Sequence, residues 1–169
     1  MTPKTISRDI KFISDSLCRP SSLKLLFRAS EHQFRAKAFH SKCDGINDTF
    51  VLVRTEFGRT IAGYSGYTWE AKEDKKGVKE KNYRGAYVTD SSRRAFLLLM
   101  EQQQKAVPQF DKQIIVCDNR YGPCFGGYFG FGALKIGDNC NRKANSTTID
   151  IGGHYNTEGT DRKYIWDSQ

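Results

Sequence analysis

Three histidines (His32, His40, His154) and five cysteines (Cys18, Cys43, Cys117, Cys124, Cys140) are the side chains here most suited to nucleophilic or metal chemistry. His40 and Cys43 stand three apart in a stretch that reads as helix, so both reach one face of it. A structural zinc site needs four ligands, usually including a closely spaced pair of cysteines. Only half of that pattern is present, and Cys117 and Cys124, seven apart across a turn, do not complete it. A buried thiol beside a helix-surface histidine is the simpler reading, and no metal is expected.

Nucleophilic catalysis is equally hard to assemble. There is no Gly-x-Ser-x-Gly elbow and no histidine stands in a nucleophile signature. A Cys–His pair can form through space, so an enzyme or direct antioxidant using Cys43 or Cys124 stays as an alternative. The glycine-rich segment from Gly126 to Gly132 lacks the Lys-Ser/Thr of a phosphate-binding loop. Asp44, Glu56, Glu70, Asp118 and Asp138 are dispersed, and no spacing pairs two of them for acid–base work. The sequence therefore points to no catalytic residue and no cofactor.

Lys and Arg number 27 against 19 Asp and Glu, giving a net charge of +8 and a pI near 9.3. Such a surface attracts polyanions, so a basic adaptor for nucleic acid or anionic lipid is a second alternative. The aromatic signatures of ribonucleoprotein domains and helix-turn-helix spacing are absent, so nucleic acid is not the expected partner. The densest charge run, Lys72 to Lys81, mixes both signs and reads as a solvated loop.

The elements that would hold these residues follow from length and pattern. A chain of 169 residues with 38% hydrophobic content, 11 Phe, 8 Tyr and 2 Trp fits one domain with a real core. The longest apolar run, Ala95 to Met100, is far below the ~20 residues of a membrane helix, so no membrane insertion is expected. The basic start shows no secretory signal, and the odd cysteine count suits reduced thiols in the cytoplasm.

Ile6, Ile10, Ile13 and Leu17 mark one face of a helix that ends before Pro20. Leu23 to Phe27 reads as a short buried strand. Phe34 to Cys43 reads as a second helix with Gly45 just past its end, and Ser30 and Gln33 could start it earlier as a capping box. Phe50–Thr55 and Thr60–Tyr64 form a hairpin about Gly58. Ala95 to Met100 suits a central strand buried on both faces, and Ile114 to Cys117, Phe131 to Ile136 and Thr147 to Ile151 are further strands. Gly122-Pro123 and the glycines after it mark a turn-rich connection. Strands that do not alternate with helices predict an α+β domain, mainly β, with an antiparallel sheet or sandwich.

Read in order, several segments resemble the TLDc domain family. They are Lys24 to Ser30, Phe39-His40-Ser41-Lys42-Cys43-Asp44-Gly45, Thr49 to Thr55, Gly63-Tyr64-Ser65, Thr68-Trp69, Ala95 to Leu97, Tyr121 to Gly126 and Asp138 to Asn141. The resemblance implies a two-sheet antiparallel β-sandwich flanked by a few short helices. It also implies a cytoplasmic, non-catalytic interaction domain linked to oxidative-stress protection and to binding and regulating the vacuolar proton-pumping ATPase. Asp44, Gly45, Gly63, Tyr64, Trp69, Gly122, Pro123 and Gly126 fall on family motif positions and are expected to shape the fold.

The chain departs from the family pattern at Gln33, where Gly is frequent, at Arg35, where Ser or Thr is, and at Ile61-Ala62. It also stops after Tyr164-Ile165-Trp166, before the family's acidic-aliphatic last strand. The expectation is a single domain over residues 1–169 that lacks this strand, with self-association possible through the open sheet edge.

Overall fold

A run of apolar residues with no polar interruption can satisfy a strand only if both its faces are covered. In the computed structural model, Ala95–Leu99 forms such a strand, every residue of it buried. The structure describes residues 3–17, 22–70, 86–89, 94–109, 113–126, 133–142 and 155–157. These contain helices α1 (Pro3–Leu17) and α2 (Ala36–Cys43), a 3-10 turn (Ala29–His32) and nine strands. The strands are β1 (Thr49–Arg54), β2 (Thr60–Ser65), β3 (Ala86–Thr89), β4 (Ala95–Leu99), β5 (Gln104–Pro108), β6 (Gln113–Cys117), β7 (Tyr121–Phe125), β8 (Leu134–Gly137) and β9 (Tyr155–Thr157).

Two antiparallel sheets result, one ordered β1-β2-β4-β5-β9 and the other β3-β6-β7-β8. Period-two alternation sorts the side chains of the larger sheet. Ile61, Leu97, Leu99 and Ala106 join Ile115, Cys117, Phe125 and Leu134 of the smaller sheet in one central cluster. Ala62, Phe96, Leu98 and Met100 cluster on the opposite face, where Phe12, Ile13 and Leu17 of α1 cover them. The order of layers is thus helix, sheet, core, sheet. Tyr155 of β9 crosses the core and donates its hydroxyl to the Ile114 carbonyl at 2.6 Å, tying one sheet to the other. The mainly-β α+β sandwich follows from these layers, and the hairpin expected about Gly58 pairs Arg54 with Thr60 as β1 and β2.

Several local expectations need correction. Leu23 to Phe27 forms no strand: Leu23 and Leu25 are exposed, while Leu26 and Phe27 pack on the central cluster. An apolar run becomes a strand only where a ladder partner is offered. On α1 the buried stripe runs through Phe12, Ile13 and Leu17, and Ile10 is exposed. Gly122-Pro123 lies within β7 rather than in a turn. The pairing to β8 shifts register between Tyr121 and Cys124, so the dipeptide occupies a bulge, where a residue without an N–H is tolerated. Strands β3, β5, β7 and β9 were not expected from the pattern.

The second helix also starts later than Phe34. Gln33 and Phe34 both take left-handed angles, φ 53° and 55°, between the 3-10 turn and α2. That conformation costs a non-glycine residue about 1–2 kcal/mol and suits the glycine frequent in the resembled family at position 33. The 3-10 turn has no side-chain cap. Gly45 follows α2 with φ 76°, as a residue just past a helix end often does. The Lys72 to Lys81 run, the strand expected at Thr147 to Ile151 and the chain end after Thr157, with Tyr164 to Trp166, lie outside the described residues.

Candidate functional site

Asp44, Gly45, Gly63 and Trp69 of the motif positions meet around one aromatic chain. Phe39 of α2 lies edge-on to Trp69 at 5.6 Å, and Trp69 lies edge-on to Phe125 of β7 at 5.5 Å. Trp69 is fully buried and donates its indole N–H to the Thr49 hydroxyl at 2.8 Å. Its carbonyl accepts from Gly45 N–H at 2.9 Å, beside a parallel bridge between Asp44 and Trp69. Gly63 leaves the room that the Phe125 ring occupies: a β-carbon there would stand 2.5 Å from Cε2 and Cζ of Phe125.

His40, on the same helix, is buried among acceptors only. Its Nδ1 lies 2.7 Å from the Asp44 carboxylate, and its Nε2 lies 3.1 Å and 2.9 Å from the carbonyls of Asp118 and Tyr121. His40 therefore clamps α2 onto the turn between β6 and β7. Asp118 shapes that turn: its carboxylate accepts from Arg120 N–H at 2.9 Å and grips the Arg120 guanidinium through both oxygens.

A second tie joins α2 to the end of β8. Asp138 accepts the Ala36 N–H at 2.9 Å, satisfying a helix-start donor that no local side chain reaches, and faces Arg35 at 3.4 Å. Asn139 N–H donates to the Phe34 carbonyl at 2.9 Å. Between the two ties opens a shallow cleft of about 430 Å³ lined by Arg35, Lys37, Asn119, Arg120 and Asp138. Three cations line it with Asp138, and one of them, Arg120, is already held by Asp118. The Tyr121 ring, next in sequence to Arg120, has Arg120 5.3 Å and Lys135 5.0 Å from its centre.

The remaining motif positions do not line this cleft. Tyr64, half-buried on the outer face of the larger sheet, stacks on Phe96 at 4.9 Å and donates to Asp48 at 2.6 Å. Gly122 and Pro123 are buried in the β7 bulge. Gly126 follows β7 with φ 66° and donates to the Ile114 carbonyl at 2.8 Å. The cleft residues were not singled out as a site by the sequence, because the helix lies some eighty to a hundred positions before the turn and the strand end that complete it.

The thiols are placed for packing. Cys43, Cys117 and Cys124 are buried and unbonded to one another. Burial, aided by Asp44, pushes Cys43 up to about 11. Burial pushes Cys124 up to about 12, against the opposing pull of Lys135. A reactive thiol needs the reverse shift and access. Among the described residues no three His, Cys, Asp or Glu side chains group to hold a metal, and both ring nitrogens of His40 are engaged.

No curated protein and no solved structure matches the chain at significance. A family profile, that of the TLDc domain, matches residues 1–160. That match, over a two-sheet sandwich, makes this chain a member of the TLDc domain family.

Proposed function

We propose that this TLDc domain is a non-catalytic, cytoplasmic protein-interaction module that binds and regulates the vacuolar proton-pumping ATPase and so contributes to oxidative-stress protection. The observation that carries the reading is the family match across residues 1–160. Buried Cys43 and Cys124, with thiols held protonated at neutral pH, weigh against a direct antioxidant or cysteine enzyme. Among the described residues no helix is long and apolar enough to cross a membrane.

The test is titration of the purified chain with the soluble sector of that ATPase. Micromolar or tighter binding, on the order of −8 kcal/mol, is the expected result. Failure to bind at roughly a hundred-micromolar protein, weaker than about −5.5 kcal/mol, overturns the ATPase assignment.

A further inference from the structure

We propose that the cleft between α2 and the β6–β7 turn is a docking site for an acidic segment of a partner protein, with Arg35, Lys37 and Arg120 receiving its carboxylates. The inference rests on the interaction role above and names the chemistry of the partner.

The first argument is charge. Arg35, Lys37 and Arg120 line the cleft against two carboxylates, Asp138 facing Arg35 and Asp118 gripping Arg120, so Lys37 leaves the lining one positive charge in excess. Guanidinium forks suit planar carboxylates, which they can bind through two parallel bonds.

The second argument is preorganisation. Arg120 is held by the nearly buried Asp118 carboxylate, while its own side chain remains about half exposed. Arg35 is similarly exposed and is oriented by Asp138. The walls that carry these cations are locked to each other by His40 on one side and by Asp138 and Asn139 on the other. A partner therefore meets side chains whose ordering cost is already met within the fold, which raises affinity for a given set of contacts.

The third argument separates a protein from other polyanions. Asp138 sits in the cleft and repels a phosphate at every step of a nucleic-acid strand, whereas a peptide of mixed sequence can place a neutral residue there. Tyr121, the aromatic ring next in sequence to Arg120, already has two cations against it and offers no open platform for base stacking. The concave site is also reached more readily by a peptide side chain than by the flat surface of an anionic bilayer.

The experiment titrates the full chain with a labelled peptide of alternating Glu and Ser, with a control in which Gln replaces Glu. Oligothymidine and phosphatidylserine vesicles are run beside them. Lys37→Glu tests the cleft. Lys37 is exposed in the first turn of α2, where a carboxylate favours the helix, so the fold should persist. Lys24→Glu changes the net charge identically on an exposed stretch outside the cleft lining.

The expected result is binding of the Glu peptide, none of the Gln peptide, and a loss of about tenfold or more, some 1.4 kcal/mol, in Lys37→Glu but not in Lys24→Glu. Equal losses in both variants would reduce the site to net charge and overturn the proposal. So would equal affinity for the Gln peptide, or tighter binding of oligothymidine or vesicles with the same sensitivity to Lys37→Glu. Peptide binding without ATPase binding sinks the ATPase assignment and leaves the cleft in place, while ATPase binding that Lys37→Glu does not weaken, with no peptide binding, sinks the cleft alone.

Discussion

Gly63→Ala adds a single methyl group at the point where β2 meets the aromatic core, and the structure predicts a severe effect. The new β-carbon would lie 2.5 Å from two carbons of the Phe125 ring and 3.0 Å from a third. Phe125 is fully buried, and its movement is resisted by Trp69, which is itself backed by Phe39. Overpacking of this kind costs about 1–3 kcal/mol, and the rigidity of the aromatic chain places this site in the upper part of that range. Replacing Gly by Ala also restricts the unfolded chain, which offsets about 0.4–1 kcal/mol. A net loss of about 2 kcal/mol follows, which in a domain of this size lowers the melting temperature by about 4–8 °C. Urea unfolding and thermal melts of the purified variant measure it. Phe125→Leu supplies the internal check, since a smaller side chain opposite Gly63 removes the clash. The double variant should then be more stable than the sum of the single losses predicts, by about 1 kcal/mol. A Gly63→Ala protein within about 0.5 kcal/mol of the original, or strictly additive losses in the cycle, would refute the steric reasoning.

Two further outcomes follow from the site. His40→Leu removes the imidazole that meets the Asp118 and Tyr121 carbonyls and the Asp44 carboxylate, and should cost about 2–3 kcal/mol in urea unfolding; a loss under about 0.5 kcal/mol would show that the clamp contributes little. The buried thiols set the alkaline limit of stability. In the unfolded chain a thiol ionises near 9.0, whereas Cys43 is held to about 11 and Cys124 to about 12. Between those values the unfolded state binds fewer protons than the native state, so stability is unaffected by these groups below pH 9 and falls as pH rises above it. Tyr155, raised above its usual 10.0 by burial, steepens the fall at higher pH. Urea midpoints across this range measure it, and stability that rises between pH 9 and 11 would contradict the assigned burial.

Patterns that depend on near neighbours were legible in the sequence. The uninterrupted run from Ala95 announced a strand covered on both faces, and Gly58 between two branched, aromatic-rich runs announced the β1–β2 hairpin. The ordered motif segments resemble the TLDc family, and the family match agrees. Local pattern placed the face of α1 only in part. Ile13 and Leu17 of the expected stripe pack, together with Phe12, against the cluster of Phe96 and Leu98, while Ile10 is exposed. Leu23 to Phe27 has the composition of a strand, but strand pairing is a property of two segments, and no partner meets it among the described residues.

The cleft lay wholly beyond local reading. Arg35 and Lys37 on α2, Arg120 in the β6–β7 turn and Asp138 after β8 carry no mutual signal, because the chain brings them together only when α2 docks against β7. What caps α2 is likewise a carboxylate 102 residues away, and what orients His40 is a pair of carbonyls 78 and 81 residues away. Sequence by itself determined that the run from Ala95 is covered on both faces and which family the chain belongs to, because an uninterrupted apolar run and the order of motifs are written along the chain. The tertiary structure alone decided which charges share a surface and which polar groups find partners, because hydrogen bonds and electrostatic fields act through space over a few ångströms whatever the separation in sequence.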